Sequence, residues 1–188
     1  GMLLTGLGRF DEANAQMKEA RELDPLSLMT IAASARPYYN ARRYDDAIGQ
    51  ARRALELDST FSRAHYWLGM SYAQLGRGRE ALGEFQVALR QAGPTPVYRA
   101  ATAYAHGLVG EREQARAIAL ELEQEARLAD PGGPLDQRDA HALVAERIAQ
   151  RGGKASNQLI GVERGVQLLA QIACSGAGGG QFRRLRTT

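Results

Sequence analysis

Apolar and small residues in the first two-thirds of the chain recur three and four positions apart, in runs broken by short polar turns. That spacing predicts amphipathic helices. The runs are also copies of one another. "GRFDEANAQMKEARELDP", "RRYDDAIGQARRALELDS", "GRGREALGEFQVALRQAG" and "GEREQARAIALELEQEAR" begin at Gly8, Arg42, Gly76 and Gly110, so the spacing is 34 residues each time. A fixed period of this size points to a stacked array of supersecondary units rather than a single closed core.

Aligned at that period, the columns carry physical meaning. Ala13, Ala47, Ala81 and Ala115 form one, as expected where two helices approach too closely for a larger side chain. Ala20, Ala54, Ala88 and Leu122 form a second, and Met17, Ala51, Phe85 and Ala119 a third in which large and small residues interdigitate. Phe10 and Tyr44 place a knob at the start of the helix that is lost at Gly78 and Arg112. Gly8, Gly76 and Gly110 stand where a tight helix–helix turn needs the left-handed conformation. Arg42 interrupts that column, so its turn is expected to differ or to carry modest strain.

The segments between these copies repeat as well. Leu68, Gly69 and Tyr72 of "FSRAHYWLGMSYAQLG" align with Ser34, Ala35 and Tyr38, and with Thr102, Ala103 and His106. Pro25 closes the first unit, and Pro94 and Pro96 interrupt the chain after the third, where proline stops one helix and suits the first turn of the next. Each unit is therefore two helices of about 14 residues joined by a tight turn. One such pair cannot bury its apolar face alone, so the pairs must stack.

These residues resemble the tetratricopeptide repeat family. The period matches, and "YWLGMSYAQLG…EALGEFQVAL" carries the family's large–Leu–Gly–Tyr and Gly–Ala–Phe–Ala signature. The fourth unit departs from it at His106, Arg112 and Ala119. That unit also looks like tandem repeats found in some bacterial transcriptional regulators, cyclases and kinases. The resemblance implies an all-α fold, a right-handed superhelical solenoid of antiparallel helix pairs. The expected organisation is a repeat array over 1–130, with a partial repeat at 1–27 and repeats at 28–61, 62–95 and 96–129. A degenerate capping helix pair at 131–174 and a flexible basic tail at 175–188 would follow.

The resemblance further implies that the first helix of each unit lines a concave groove for a peptide or helix of a partner. Carried across unit by unit, the groove positions are Met29, Ala32, Arg36, Tyr39 and Asn40, then Arg63, Tyr66, Met70, Ala73 and Gln74, then Val97, Ala100, Tyr104, Gly107 and Leu108. The partner-binding candidates among them are Met29, Arg36, Tyr39, Asn40, Arg63, Tyr66, Met70, Gln74 and Tyr104. Tyrosines supply rigid contact area with a polar tip, arginines can fork a carboxylate, and Met70 adapts to irregular surfaces. The competing reading packs the tyrosines against neighbouring helices. Chaperone-tail-binding members of the family use a Lys and Asn clamp. The corresponding positions here are Ala32, Arg36, Tyr66, Trp67 and Met70, so no such clamp is expected.

Composition adds a boundary. Residues 1–130 carry 16 basic and 17 acidic side chains, whereas 131–188 carry 8 basic and 4 acidic, and Phe182 is the sole aromatic after residue 130. "LDQRDAHALVAERIAQ" and "NQLIGVERGVQLLAQIA" are amphipathic enough to predict the two capping helices. Arg183, Arg184 and Arg186 form a basic arm with one aromatic, too little to expect nucleic-acid binding. No apolar run reaches the ~20 residues of a membrane span. "MLLTGLG" lacks the basic flank and apolar length of a signal peptide, so a cytoplasmic location is expected.

Catalytic chemistry is not expected. His65, His106 and His141 have no recurring acidic or cysteine partner at metal-ligand spacing, and Cys174 lacks nucleophile surroundings. "RGGKAS" has Ile148 where a phosphate loop requires glycine, and "GAGGGQ" has Gln181 where a dinucleotide fingerprint requires its third glycine. The sequence thus predicts a non-enzymatic scaffold without cofactor or metal, binding a protein or peptide. Two alternatives stand beside it. One is a regulatory or sensor fragment of a larger transcriptional regulator, cyclase or kinase. The other is an adaptor that homodimerises through its incomplete first repeat.

Overall fold

A computed structural model describes residues 2–129, and the expected helix pair at 131–174 and tail at 175–188 lie outside the described residues. The described chain is all helix and turn. Helix α1 (Met2–Gly6) is a single short turn-and-a-half before α2 (Phe10–Leu23). The second unit comprises α3 (Leu28–Ala33), α4 (Ala35–Asn40) and α5 (Tyr44–Leu57). The third pairs α6 (Ser62–Gln74) with α7 (Gly78–Ala92), and the fourth pairs α8 (Pro96–Leu108) with α9 (Arg112–Ala129). Each helix packs on the next in sequence, and α6 also packs on α3, α4 and α8, so the first helices of successive units stack side by side. This is the all-α solenoid of antiparallel helix pairs that the period predicts.

The alanine column lies fully buried, with Ala13, Ala47, Ala81 and Ala115 all inaccessible. The core runs lengthwise through the stack, joining Tyr39, Ala51, Leu68, Phe85, Tyr104 and Leu122. Phe85 packs directly over Gly69. A Cβ at Gly69 would stand 2.5 Å from Phe85 Cε1, so only glycine leaves room for the ring.

The four turns are copies. In each, an amide donates back across the turn to the carbonyl five residues earlier, in the last turn of the first helix: Arg9 to Leu4, Arg43 to Tyr38, Arg77 to Tyr72 and Glu111 to His106, all at 2.9 Å. The residue before each donor has positive φ, namely Gly8 (75°), Arg42 (60°), Gly76 (75°) and Gly110 (87°). This is the left-handed helix terminus that glycine favours. Arg42 therefore does not change its turn. It adopts the glycine conformation and carries the steric cost of a Cβ there. The donor side chains also repeat. Arg9, Arg43 and Arg77 each pair with an acid three residues on, Glu12, Asp46 and Glu80. Arg43 and Arg77 also lie over the Tyr38 and Tyr72 rings, 5.0 and 4.2 Å from their centroids. In the fourth unit His106 and Glu111 occupy these two places and bond at 2.6 Å.

One departure from two uniform helices per unit occurs in the second. Its first helix is broken at Ser34 between α3 and α4. Pro37 explains the break, since its ring crowds the carbonyl four residues back at Ala33 and it has no amide to donate there. The third helix pair ends at Gly93 (φ 80°), and Pro96 opens α8 at its first position.

Candidate functional site

The face shared by the stacked first helices is the candidate site. Helical spacing puts Arg63, Tyr66, Trp67 and Met70 along one face of α6, at i, i+3, i+4 and i+7, and Arg36, Tyr39 and Asn40 along one face of α4. The two faces meet through aromatic rings. Tyr39 lies 5.7 Å from Trp67, Trp67 lies 5.3 Å from Tyr66, and Tyr66 lies 5.9 Å from Tyr98 in the first turn of α8. Tyr44 joins at one end, 5.6 Å from Tyr39, and Phe85 beneath, 6.0 Å from Tyr66. All are tilted or edge-on, the geometry that ring quadrupoles favour. The run crosses three units without a gap.

The nine sequence-derived positions fall into three environments. Tyr39, Met70 and Tyr104 are buried at 3, 5 and 6 % exposure and belong to the lengthwise core. Arg36, Asn40, Tyr66 and Gln74 are half-buried. Arg63 and Met29 are exposed, Met29 in the first turn of α3. Ring contacts bring Tyr39 and Tyr66 together through Trp67, and core packing brings in Met70 and Tyr104. No ring or polar contact joins Met29 to this set among the described residues.

Sequence reasoning left Trp67 and Tyr98 outside the groove candidates. Trp67 is half-buried and central, touching rings on both sides. The available signal was its place four residues after Arg63, on the same helical face. Tyr98 is half-buried, and its hydroxyl lies 3.3 Å from that of Ser62. It stands 32 rather than 34 residues after Tyr66, so column alignment conceals the contact.

Polar groups flank the rings unequally. His65 on α6 is held from both sides, with Nδ1 2.6 Å from Glu84 and Nε2 3.0 Å from the Ser59 carbonyl. Arg99 donates to Glu125 at 2.6 Å and to Glu121 at 2.7 Å on α9. Beside the α5–α6 junction, the Thr60 hydroxyl and amide both donate to Asp58 Oδ1, at 2.7 and 2.8 Å, and hold that carboxyl below its usual range. Arg36 and Arg63 have no such counter-charge among the described residues.

The signature columns and this stacked geometry agree with comparison to known proteins. A family model of the tetratricopeptide repeat matches residues 32–95. Those residues are tetratricopeptide repeats. The chain is 33 % identical over 81 residues to the TPR repeat-containing thioredoxin TDX of Arabidopsis thaliana, a match that covers 43 % of this chain and 21 % of that protein. Its fold resembles the crystal structure of MamA, with a TM-score of 0.58 at 18 % identity over 93 % of this chain and 92 % of the other. It also resembles YrrB, a TPR protein with an unusual peptide-binding site, with a TM-score of 0.53 at 18 % identity over 93 % and 87 %. The repeat architecture is that of protein-interaction scaffolds. Among the described residues no helix is long and apolar enough to cross a membrane.

Proposed function

We propose that this protein is a non-enzymatic scaffold whose stacked first helices form a groove for a peptide or helix of a partner protein. The observation that carries the reading is the continuous aromatic run from Tyr39 through Trp67 and Tyr66 to Tyr98, half-buried at its centre and flanked by Arg36, Asn40 and Gln74. Half-buried rings offer large contact area at low entropic cost, the property of interaction hot spots. YrrB, of similar fold, is described as having a peptide-binding site, which supports the same use here. The proposed organisation keeps the array within 1–130 and gives 131–174 a capping role, with the protein in the cytoplasm.

Capture of partners from a native lysate on the immobilised chain tests this. Tyr66→Ala removes the central ring, and Asn40→Ala with Gln74→Ala trims the groove without touching the aromatic run. Both are expected to lose the captured band. Retention by both folded variants would remove the groove from consideration.

A second reading has its own observation. Leu3, Leu7, Leu23 and Leu26, all in or beside the first unit, are exposed. Exposed apolar side chains of this size favour association. We therefore also propose homodimerisation through this end, whether the protein acts alone or as the sensor portion of a larger regulator. Light scattering at high concentration is expected to show a dimer that Leu23→Lys with Leu26→Lys dissociates, and a strict monomer would refute it.

A further inference from the structure

The edge of the stack opposite the four turns carries an apolar patch outside the groove. Helix α3 packs on both α2 and α5 and runs antiparallel to each, so its first turn lies level with their last turns. Leu23 ends α2, Leu26 stands in the loop that follows, Met29 lies in the first turn of α3 and Leu57 ends α5. The four share one edge, exposed at 83, 73, 52 and 49 %. Acids bracket the two helix-end leucines. Glu22–Leu23–Asp24 recurs one period on as Glu56–Leu57–Asp58, whereas the third unit has Arg90, Gln91 and Ala92 there. A helix C-terminus is the negative end of its dipole, so carboxylates there work against the helix. The last turn of α5 holds no base to offset them, and the nearest along the helix is Arg53, one turn before Leu57. On α2, Arg21 is half-buried and Lys18 reaches Glu22 only at 3.9 Å. Asp58 accepts from Thr60, which leaves its charge in place. Exposed apolar side chains thus stand among carboxylates at two helix ends, a surface that fits a segment both basic and apolar.

We propose that this edge is covered by a segment of the same chain, Phe182–Arg186, with Phe182 and Leu185 laid on the leucines and Met29, and the three arginines set against the four carboxylates. The segment supplies both halves of the match. "FRRLR" places three bases within four residues, denser than anywhere else in the chain, and spaces its two apolar residues three apart. Residues 130–180 tether it to the array. Even wound wholly as helix they span about 75 Å, against about 30 Å from the fourth unit back to the first at roughly 10 Å per helix layer. Tethering gives the segment an effective concentration on the order of millimolar, so ion pairs that are individually weak and partly screened suffice. The docked segment and a second copy compete for Leu23 and Leu26. Docking therefore opposes the homodimer proposed above and confines it to high concentration. That consequence rests on the dimer reading, whereas the docking itself does not.

A spin label beside the segment tests this. Cys174 is the chain's single cysteine, so Cys174→Ser with Thr187→Cys puts one label next to Arg186. In a dilute solution of the full chain with isotope-labelled Leu and Met methyl groups, the label is expected to broaden Leu23, Leu26, Met29 and Leu57. Leu7 and Leu75, exposed on the opposite, turn-bearing edge, are expected to stay sharp. Arg183→Glu with Arg184→Glu and Arg186→Glu is expected to abolish the broadening, and Glu22→Arg with Glu56→Arg added to that variant to restore it. Releasing an edge nine-tenths covered should also let the triple arginine variant dimerise at about tenfold lower concentration. A leucine edge that stays sharp, or broadening that survives the charge reversal, overturns the proposal. So does broadening seen only when spin-labelled copies are mixed with isotope-labelled ones, because the segment then sits on a second copy. If the broadening behaves as expected and no dimer forms at any concentration, the docking stands and the dimer reading falls.

Discussion

Gly69 offers a sharp test of how closely this array is packed. Replacing an interior helical glycine with alanine ordinarily stabilises a helix by about 1 kcal/mol. At Gly69 the added methyl would meet Phe85 Cε1 at 2.5 Å, Cδ1 at 2.6 Å and Cζ at 2.9 Å. Phe85 is fully buried and abuts Tyr66, so its rigid ring has no open space to swing into. Overpacking of this severity costs about 1–3 kcal/mol, and the contact distance argues for the upper part of that range. After the helix-propensity gain, Gly69→Ala is expected to destabilise by about 2 kcal/mol. Gly49 and Gly83 are the internal controls. Both lie on exposed helical positions with nothing within 4 Å of an added Cβ. There the same substitution is expected to stabilise by about 1 kcal/mol. Urea unfolding followed by far-ultraviolet circular dichroism and by Trp67 fluorescence measures all three. Phe85→Leu shortens the obstructing side chain, so the Gly69→Ala penalty should shrink in that background, with a coupling of about 1–2 kcal/mol. A Gly69→Ala protein as stable as its parent, or a penalty unchanged by Phe85→Leu, would refute the claim that this close approach governs packing between α6 and α7.

Two further outcomes follow from the turns. Arg42 is the one non-glycine with positive φ among the described residues, so Arg42→Gly should stabilise by about 0.5–1 kcal/mol once glycine's greater unfolded-state freedom is counted, read as a higher urea midpoint; a loss of stability would show that the Arg42 side chain contributes more than its backbone costs. Hydrogen bonds from Arg9 and Arg77 hold the Glu12 and Glu80 carboxyls below their usual range. A depressed folded value means stability that is complete above the unfolded carboxylate range and lost as pH falls through the folded one. The urea midpoint should therefore be flat on the acid side down to about pH 4.5 and decline below it, and Arg77→Gln should flatten that decline.

Much of the architecture was legible before any coordinates. The alanine column at 13, 47, 81 and 115 predicted close helix approach, and those residues are fully buried. Gly8, Gly76 and Gly110 predicted the turns they make. Such inferences succeed because each unit touches only its neighbours, so a column's constraint is local and is written again every 34 residues. Helical spacing alone also puts Arg63, Tyr66 and Met70 on one side of α6, the face proposed above as the groove.

Other features depend on how the units lie against one another. Arg42 takes the glycine conformation because the turn's hydrogen bond and the packing of α4 on α5 outweigh the strain of one Cβ. Trp67 became the centre of the aromatic run only once Tyr39 was brought beside it from the preceding unit. Within a unit the helix period determines which side chains align. Between units, the offset of one helix along the next decides which charges and rings meet, and only the folded stack contains that offset.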